Sequence, residues 1–495
     1  MKATRRDWIG LGVIALPCVL YSMDLTVLNL AVPHISADLR PTSSQLLWIV
    51  DIYGFVLAGL LITMGTLGDR IGRRRLLLIG AAAFGAASVL AAFSRSAGML
   101  IAARAILGVA GATLAPSTLS LIRNMFVDPK QRTVAIGVWV TSYSVGGAIG
   151  PPLGGLLLDR FWWGSVFLIG VPVMLLLLVV GPKLLPEFRD PNAGRIDLLS
   201  ASLSLAAVLL VIYGIKRFAQ GTTGWWAAMS IVGGVAIGIV FILRQRRLTD
   251  PLIDLRLFRV RAFSTALAAY TLGTFVAFGL FLFTGQYLQL VLGLSPLRAG
   301  LCTVPTMGAF IIGSLLTPMI VRRVRPAMLM AAGLGVAALG FWIIGRVGVT
   351  SGLIALVTGS VVYALGLAPV FTLTTDIIVG AAPPERAGVA AALSETGSEF
   401  GGALGIAVLG SIGTAAYRAA MAHAIPNGVP LAESQAARST LGGAVAVAQQ
   451  LAINLGAPLI AAAREAFTHA LHLTSYVSAF VAVAMAIAIA VLLRR

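Results

Sequence analysis

Charge and cysteine are the two things this chain has little of. Only 11% of its 495 residues are charged, against 58% hydrophobic, and mean hydropathy is +0.95. Soluble domains carry about 25% charged residues. Nearly uncharged apolar runs, long enough to cross a bilayer, recur along the chain, which excludes a soluble globular protein. The two cysteines, Cys18 and Cys302, both lie in such runs. They support neither a disulfide framework nor a metal site and read as small packing residues. None of the four histidines, His34, His423, His469 and His472, falls well inside a run, so an intramembrane proton relay must use carboxylates. The chain also lacks a GxxxxGK[ST] phosphate loop, a metal-ligand cluster and a nucleophile–histidine arrangement. No enzyme activity, metal or cofactor is expected.

What is present is a series of fourteen apolar spans, at about 8–33, 46–66, 75–93, 99–122, 133–157, 163–182, 197–215, 225–243, 262–284, 297–320, 327–345, 352–378, 387–415 and 473–493. The first follows Arg5 and Arg6 and is too long for a cleavable signal's apolar core, so it reads as a true span. A net charge of +18 raises the possibility of nucleic-acid binding, but its distribution argues against it. Most of the 36 Lys and Arg residues fall on the ends and loops sharing a side with the N-terminus, leaving Arg104 alone within a span. The positive-inside rule then places both termini in the cytosol. Trp8, Trp48, Trp162, Trp163, Trp225 and Trp226 lie near span ends, where an indole anchors at the interface.

The spans divide as six, two and six. Residues 1–185 are expected to form an N-terminal six-helix bundle, and 186–261 an inserted helix pair with flanking cytosolic segments. Residues 262–495 complete a C-terminal bundle. Transporters built from repeats carry their site between the halves. Segment 416–473 reads as a pair of amphipathic helices on the outer face, with two extra short spans as the alternative; Gln449, Gln450 and Asn454 would be costly in lipid.

Five acids fall within spans: Asp24, Asp51, Asp376, Glu395 and Glu399. An ionisable group at membrane depth is costly and marks an ion or substrate path. Glu395 and Glu399 are four apart, so a helix puts both on one face. Glu399 is the first choice for shared proton and cation binding, and Glu395, nearer the cytosolic end, for an accessory acid. Arg104 needs an acceptor, for which Asp24 is a candidate. Asp51 reads as an outer-vestibule acid, and Asp376 lies near the cytosolic end of its span. Tyr53, Trp139, Tyr143, Phe278 and Tyr287 are candidates to hold the flat or quaternary face of a cation.

Two glycine-rich stretches stand out. The loop 65–76, GTLGDRIGRRRL, combines Gly65, Gly68 and Gly72 with Asp69, Arg70 and Arg73. The glycines permit a tight turn and close helix approach. Asp69 and Arg73 form a latch able to hold one conformation of a bundle. In 146–155, GGAIGPPLGG, Gly146, Gly150 and Gly154 recur every four residues as a packing groove. Gly155 follows, and Pro151 adds a bend. Gly397, Gly401 and Gly405 repeat that spacing in the thirteenth span.

The loop 65–76 resembles the signature loop of the major facilitator superfamily. Three further stretches are similar to motifs of that superfamily: LIAARAILGVAGA around Arg104 and Gly108, GGAIGPPLGG at 146–155, and MDLTVLNLAVP at 23–33. With fourteen spans, the chain looks like a 14-helix drug:proton antiporter of the quaternary-ammonium, dye and biguanide exporter type. The resemblance implies an all-α polytopic membrane protein with two six-helix bundles plus two inserted helices, working as a monomer in a bacterial cytoplasmic membrane. It implies export of lipophilic cations and exchange of protons, powered by the proton gradient without a cofactor. An exporter of one narrow class of antibiotic or metabolite is the alternative.

Overall fold

In lipid a chain must satisfy its own backbone hydrogen bonds, and a helix does so within one segment. The computed structural model describes residues 3–39, 41, 43–189, 197–219, 225–248, 251–383, 387–426 and 428–492, and these are helical with no strand. The first half holds α1 (Arg5–Leu39), α2 (Ser43–Ile71), α3 (Arg73–Ala92), α4 (Ala97–Met125), α5 (Pro129–Arg160), the short α6 (Ser165–Leu168) and α7 (Gly170–Leu184). An inserted pair follows, α8 (Leu198–Ala219) and α9 (Trp225–Gln245). The second half holds α10 (Arg261–Gln286), α11 (Pro296–Ile320), α12 (Pro326–Ile344), α13 (Leu353–Ala381), α14 (Ala387–Ala424), α15 (Leu431–Ser439), α16 (Leu441–Gln450) and α17 (Ile453–Leu492).

Among the described residues, 13 stretches are long and apolar enough to cross a membrane, and α8 contributes a shorter apolar stretch, Leu199–Ile215. The protein is thus a multi-pass membrane protein, with helices at all fourteen expected positions. Polar caps explain several starts. Asp128 accepts from the backbone N–H groups of Lys130 and Gln131 ahead of α5, and Ser96 from Met99 ahead of α4.

The end of the chain differs from expectation. The last span does not begin at 473: α17 is one helix of 40 residues, about 60 Å long at 1.5 Å per residue, twice the bilayer core. Residues 453–472 therefore continue the span outward instead of forming the second arm of a hairpin. Helices of 9 and 10 residues, α15 and α16, are too short to be additional spans. They pack on the extensions of α14 and α17. Ala437, Leu441, Ala444 and Val447 join Tyr417, Leu459 and Ala463 in one buried cluster, and Tyr417 donates to the Ala437 carbonyl.

Glycine seams join equivalent helices in the two halves. A Cβ at Gly146 of α5 would strike the Val19 carbonyl of α1, and one at Gly154 would lie 2.7 Å from Val27. In the second half, a Cβ at Gly401 or Gly405 of α14 would strike the Thr271 or Phe275 carbonyl of α10. First and fifth helices are thus zipped backbone to backbone in both halves. Gly155 faces open space.

The halves meet unequally. One buried cluster gathers α1–α7 and also takes in Phe263, Ala266, Ile378, Val379 and 387–393 of the second half. These lie at the arginine-rich end. There the two halves share a core, so that end is sealed. The inserted pair lies against α2, where Ile212 packs on Phe55 and Ala58. Asp197 ties the pair together: it accepts from Ser200 at 2.8 Å and from Arg244 Nη2 at 2.7 Å. Burial works against its charge, but these bonds outweigh it and hold the carboxyl below the usual carboxylate range.

Candidate transport site

Arg104 of α4 is 1% exposed, so its guanidinium must find acceptors inside the first half. Its Nη1 lies 2.7 Å from Asp24 Oδ2 on α1, its Nε donates to the Ile49 carbonyl at 3.2 Å, and it stacks 4.8 Å over the Tyr53 ring. Gly108, one turn on, allows α2 this close, since a Cβ there would lie 2.7 Å from the Tyr53 carbonyl. A small cavity of about 20 Å³ behind Asp24 reaches Ser88 and Gly170, room for about one water.

Glu399 of α14 faces the same helix from the other half. Its Oε1 accepts from Tyr21 Oη of α1 at 2.9 Å, a bond across the interface between the halves. Tyr21 sits one turn before Asp24, so α1 presents a phenol to Glu399 and a carboxylate to Arg104 from neighbouring turns. The Tyr21 ring packs 5.5 Å from Tyr143 and 6.4 Å from Tyr53, and Tyr143 lies 4.8 Å from Trp139. Glu395, one turn closer to the seal, is 6% exposed. Its Oε1 is buried without a hydrogen-bond partner among the described residues, as are the hydroxyls of Tyr53 and Tyr143. Glu395 lies within electrostatic range of Glu399, Tyr21, Tyr143 and Tyr270.

The structure therefore gathers Asp24, Arg104, Glu395, Glu399, Tyr53, Trp139 and Tyr143. It does not gather the rest. Tyr287 is fully buried at the opposite end and gives its hydroxyl to the Gly348 carbonyl, so it is a packing residue and not part of the aromatic group. Phe278 is half exposed on α10, against Gly402. Asp376 is not with the other acids either: it lies at the arginine-rich end, where Arg132 Nε donates at 2.6 Å and Thr133 Oγ1 at 2.7 Å. It bridges α13 to α5, one half to the other. The side chains of Asp51 and Pro151 lie outside the described residues.

The loop 65–76 closes the same end. Gly72, with φ of 110°, makes the turn into α3. Arg73 is 1% exposed, pairs with Asp69 and donates to the Gly65 carbonyl at 2.8 Å. Its guanidinium lies against Gly388 at the start of α14, where any side chain would collide with it. The backbone N–H groups of Arg74 and Arg75 donate to Glu187 at 3.0 and 3.1 Å, which ties the end of the first half over α3. Arg74 also donates to the Leu185 carbonyl at 3.0 Å, a role beyond topology. Trp163 is buried and donates to Asp38 at 2.7 Å; it is not an interface anchor, whereas Trp162, Trp225 and Trp226 are exposed.

Sequence reasoning missed Tyr21, Arg132, Thr133 and Glu187. Tyr21 carried a usable signal, a polar-tipped aromatic one turn from a buried acid. The partners of Asp376 and Arg74 lie far along the chain, and no local pattern points to them.

Two helical halves, a buried ionic cluster between them and a seal at one end define a transport protein. The chain belongs to the Major Facilitator Superfamily, whose family model matches residues 14–406. This is a family of transport proteins and not of enzymes, and its efflux members use no cofactor. The chain is 43% identical to the multidrug efflux pump LfrA of Mycolicibacterium smegmatis, over 100% of this chain and 98% of that one. It is 35% identical to the methyl viologen resistance protein SmvA of Salmonella typhimurium, over 95% of each. Among solved structures, the human organic anion transporter MFSD10 shares the fold, with a TM-score of 0.62 at 17% identity, covering 97% of this chain and 100% of that one.

Proposed function

We propose that this protein exports lipophilic cations, among them quaternary ammonium compounds, dyes and biguanides, from the bacterial cytosol in exchange for protons. The arginine-rich end faces the cytosol, in keeping with the positive-inside rule. The observation that carries the reading is the pair Glu395 and Glu399, set among Tyr21, Tyr143, Tyr53 and Trp139 at the interface between the halves. A carboxylate removed from water requires either a proton or a cation. Aromatic faces beside it add cation–π attraction for a flat or quaternary cation, which cannot donate a strong hydrogen bond. Proton and cation then exclude one another at Glu399, and their competition is the coupling. The names of the two relatives, a multidrug pump and a methyl viologen resistance protein, support the substrate class. Asp24 and Arg104 neutralise one another and position α1, so Tyr21 meets Glu399.

Glu399→Gln keeps the side chain's size and removes its charge. It is expected to abolish export of ethidium from cells at unchanged membrane abundance, and a protonophore to abolish export by the unaltered protein at constant ATP. Normal ethidium export by Glu399→Gln would refute the assignment.

A further inference from the structure

The arginine-rich end of α9 and the 3-10 turn Leu255–Arg259 enclose an open groove of about 850 Å³. Its lining combines apolar Ile242, Leu248 and Phe258 with Asp254 and with Arg246, Arg256 and Arg259. Arg256 is engaged by Asp254, through three bonds of 3.0 to 3.2 Å. The guanidinium groups of Arg246 and Arg259 are exposed and form no ion pair or hydrogen bond among the described residues. Two positive charges without an ion-pair partner among the described residues therefore border the recess.

The groove also continues along the helix. α9 is one of the least enclosed spans, with 17% of its apolar window buried. Val235, Ile239 and Ile242, at spacings of four and three, form an exposed stripe that runs straight into the groove. A soluble anion would use the rim alone. A molecule with an anionic head and hydrocarbon tails would use both.

We propose that this groove binds an anionic phospholipid, its phosphate between Arg246 and Arg259 and its acyl chains along the Val235, Ile239, Ile242 stripe. Basic pockets at the boundary of the membrane take anionic headgroups by this combination of charge and apolar wall. The groove's floor leads to the loop 65–76. Buried Gln245 accepts from the Leu252 N–H at 2.7 Å, and the Leu252 carbonyl accepts from Thr66 Oγ1 of α2 at 3.3 Å. A lipid seated here steadies the segment beneath that loop. The site is independent of the carboxylate pair and of what is transported.

The test is native mass spectrometry of the full-length protein titrated with phosphatidylglycerol, with phosphatidylethanolamine and with inorganic phosphate. Wild type is expected to retain one phosphatidylglycerol in preference to phosphatidylethanolamine. Arg246→Gln with Arg259→Gln should weaken that retention about tenfold or more. Arg246→Lys with Arg259→Lys should keep most of it, and Arg322→Gln with Arg323→Gln, arginines elsewhere on the same end, should change nothing. Equal retention by the two glutamine pairs, no preference between the lipids, or full displacement of the lipid by inorganic phosphate would each overturn the proposal. If the first glutamine pair does not yield folded protein, Arg259→Gln alone decides, with a partial loss expected and no loss contradicting it.

Discussion

Arg104 and Asp24 show how one buried charge fixes a neighbourhood. The guanidinium reaches a carboxylate on α1, a carbonyl on α2 and an aromatic face at once. A lysine could not reproduce that fork. Removing one partner of a buried pair strands the other, at a cost of about 3–5 kcal/mol. Asp24→Asn and Arg104→Ala are each expected to lower the thermal unfolding midpoint clearly, and the double variant Asp24→Asn with Arg104→Ala to lower it by less than the two shifts combined. Additive shifts, measured by thermal unfolding in detergent, would mean that the two side chains act separately. The need for an acceptor was legible in the sequence, because Arg104 was the single basic residue within a span; Asp24, 80 residues away, was a candidate among the intramembrane acids. Tyr21 was not read from the sequence, although it stands one turn from Asp24; its partner Glu399 lies far along the chain, and only the fold brings the two together.

Elements were read more easily than their ends. Long apolar runs give helices wherever they occur, and glycines four apart give close approach, so the seam on α5 and its echo on α14 were expected from spacing alone. Their partners were not: spacing says that a groove exists, and only the fold says that α1 and α10 fill them. Gly401→Leu is expected to prevent folded, monodisperse protein from being recovered by size-exclusion chromatography, because the side chain would meet the Thr271 backbone. Gly155→Leu should be recovered normally. The start of α17 was not legible: 416–473 reads as a pair of amphipathic helices set apart from the last span, whereas 453–472 runs into that span as one helix. Arg464 donates to the Leu290 carbonyl at 3.0 Å and His472 contacts the Val347 carbonyl at 2.7 Å, so these polar groups are used at the end of the bundle.

For the whole molecule, the proposed export requires the seal at the arginine-rich end to open while the carboxylate pair stays between the halves. The seal has an apolar part, the core shared by 387–393 with α1–α7, and a polar part, Arg132 and Thr133 on Asp376. Arg132, Asp376 and Thr133 are largely buried, so removing Asp376 strands the Arg132 guanidinium in the closed state and is expected to favour opening. Lys130 at the start of α5 and Pro383 just after α13 are both exposed at that end, one on each half. With spin labels at these two positions, in a background lacking Cys18 and Cys302, Asp376→Ala is expected to add a longer-distance population. Exchanging the charges, Arg132→Asp with Asp376→Arg, should largely remove it. An unchanged distance distribution in Asp376→Ala would leave the closure to apolar packing alone. The claim beneath all of this is that proton and cation compete for Glu399. Its most direct test is proton release by purified protein in weakly buffered detergent solution on addition of tetraphenylphosphonium, a cation with no proton of its own. Wild type is expected to release protons as the cation binds, and Glu399→Gln to release none; no release by wild type, or equal release by both, would contradict shared occupancy.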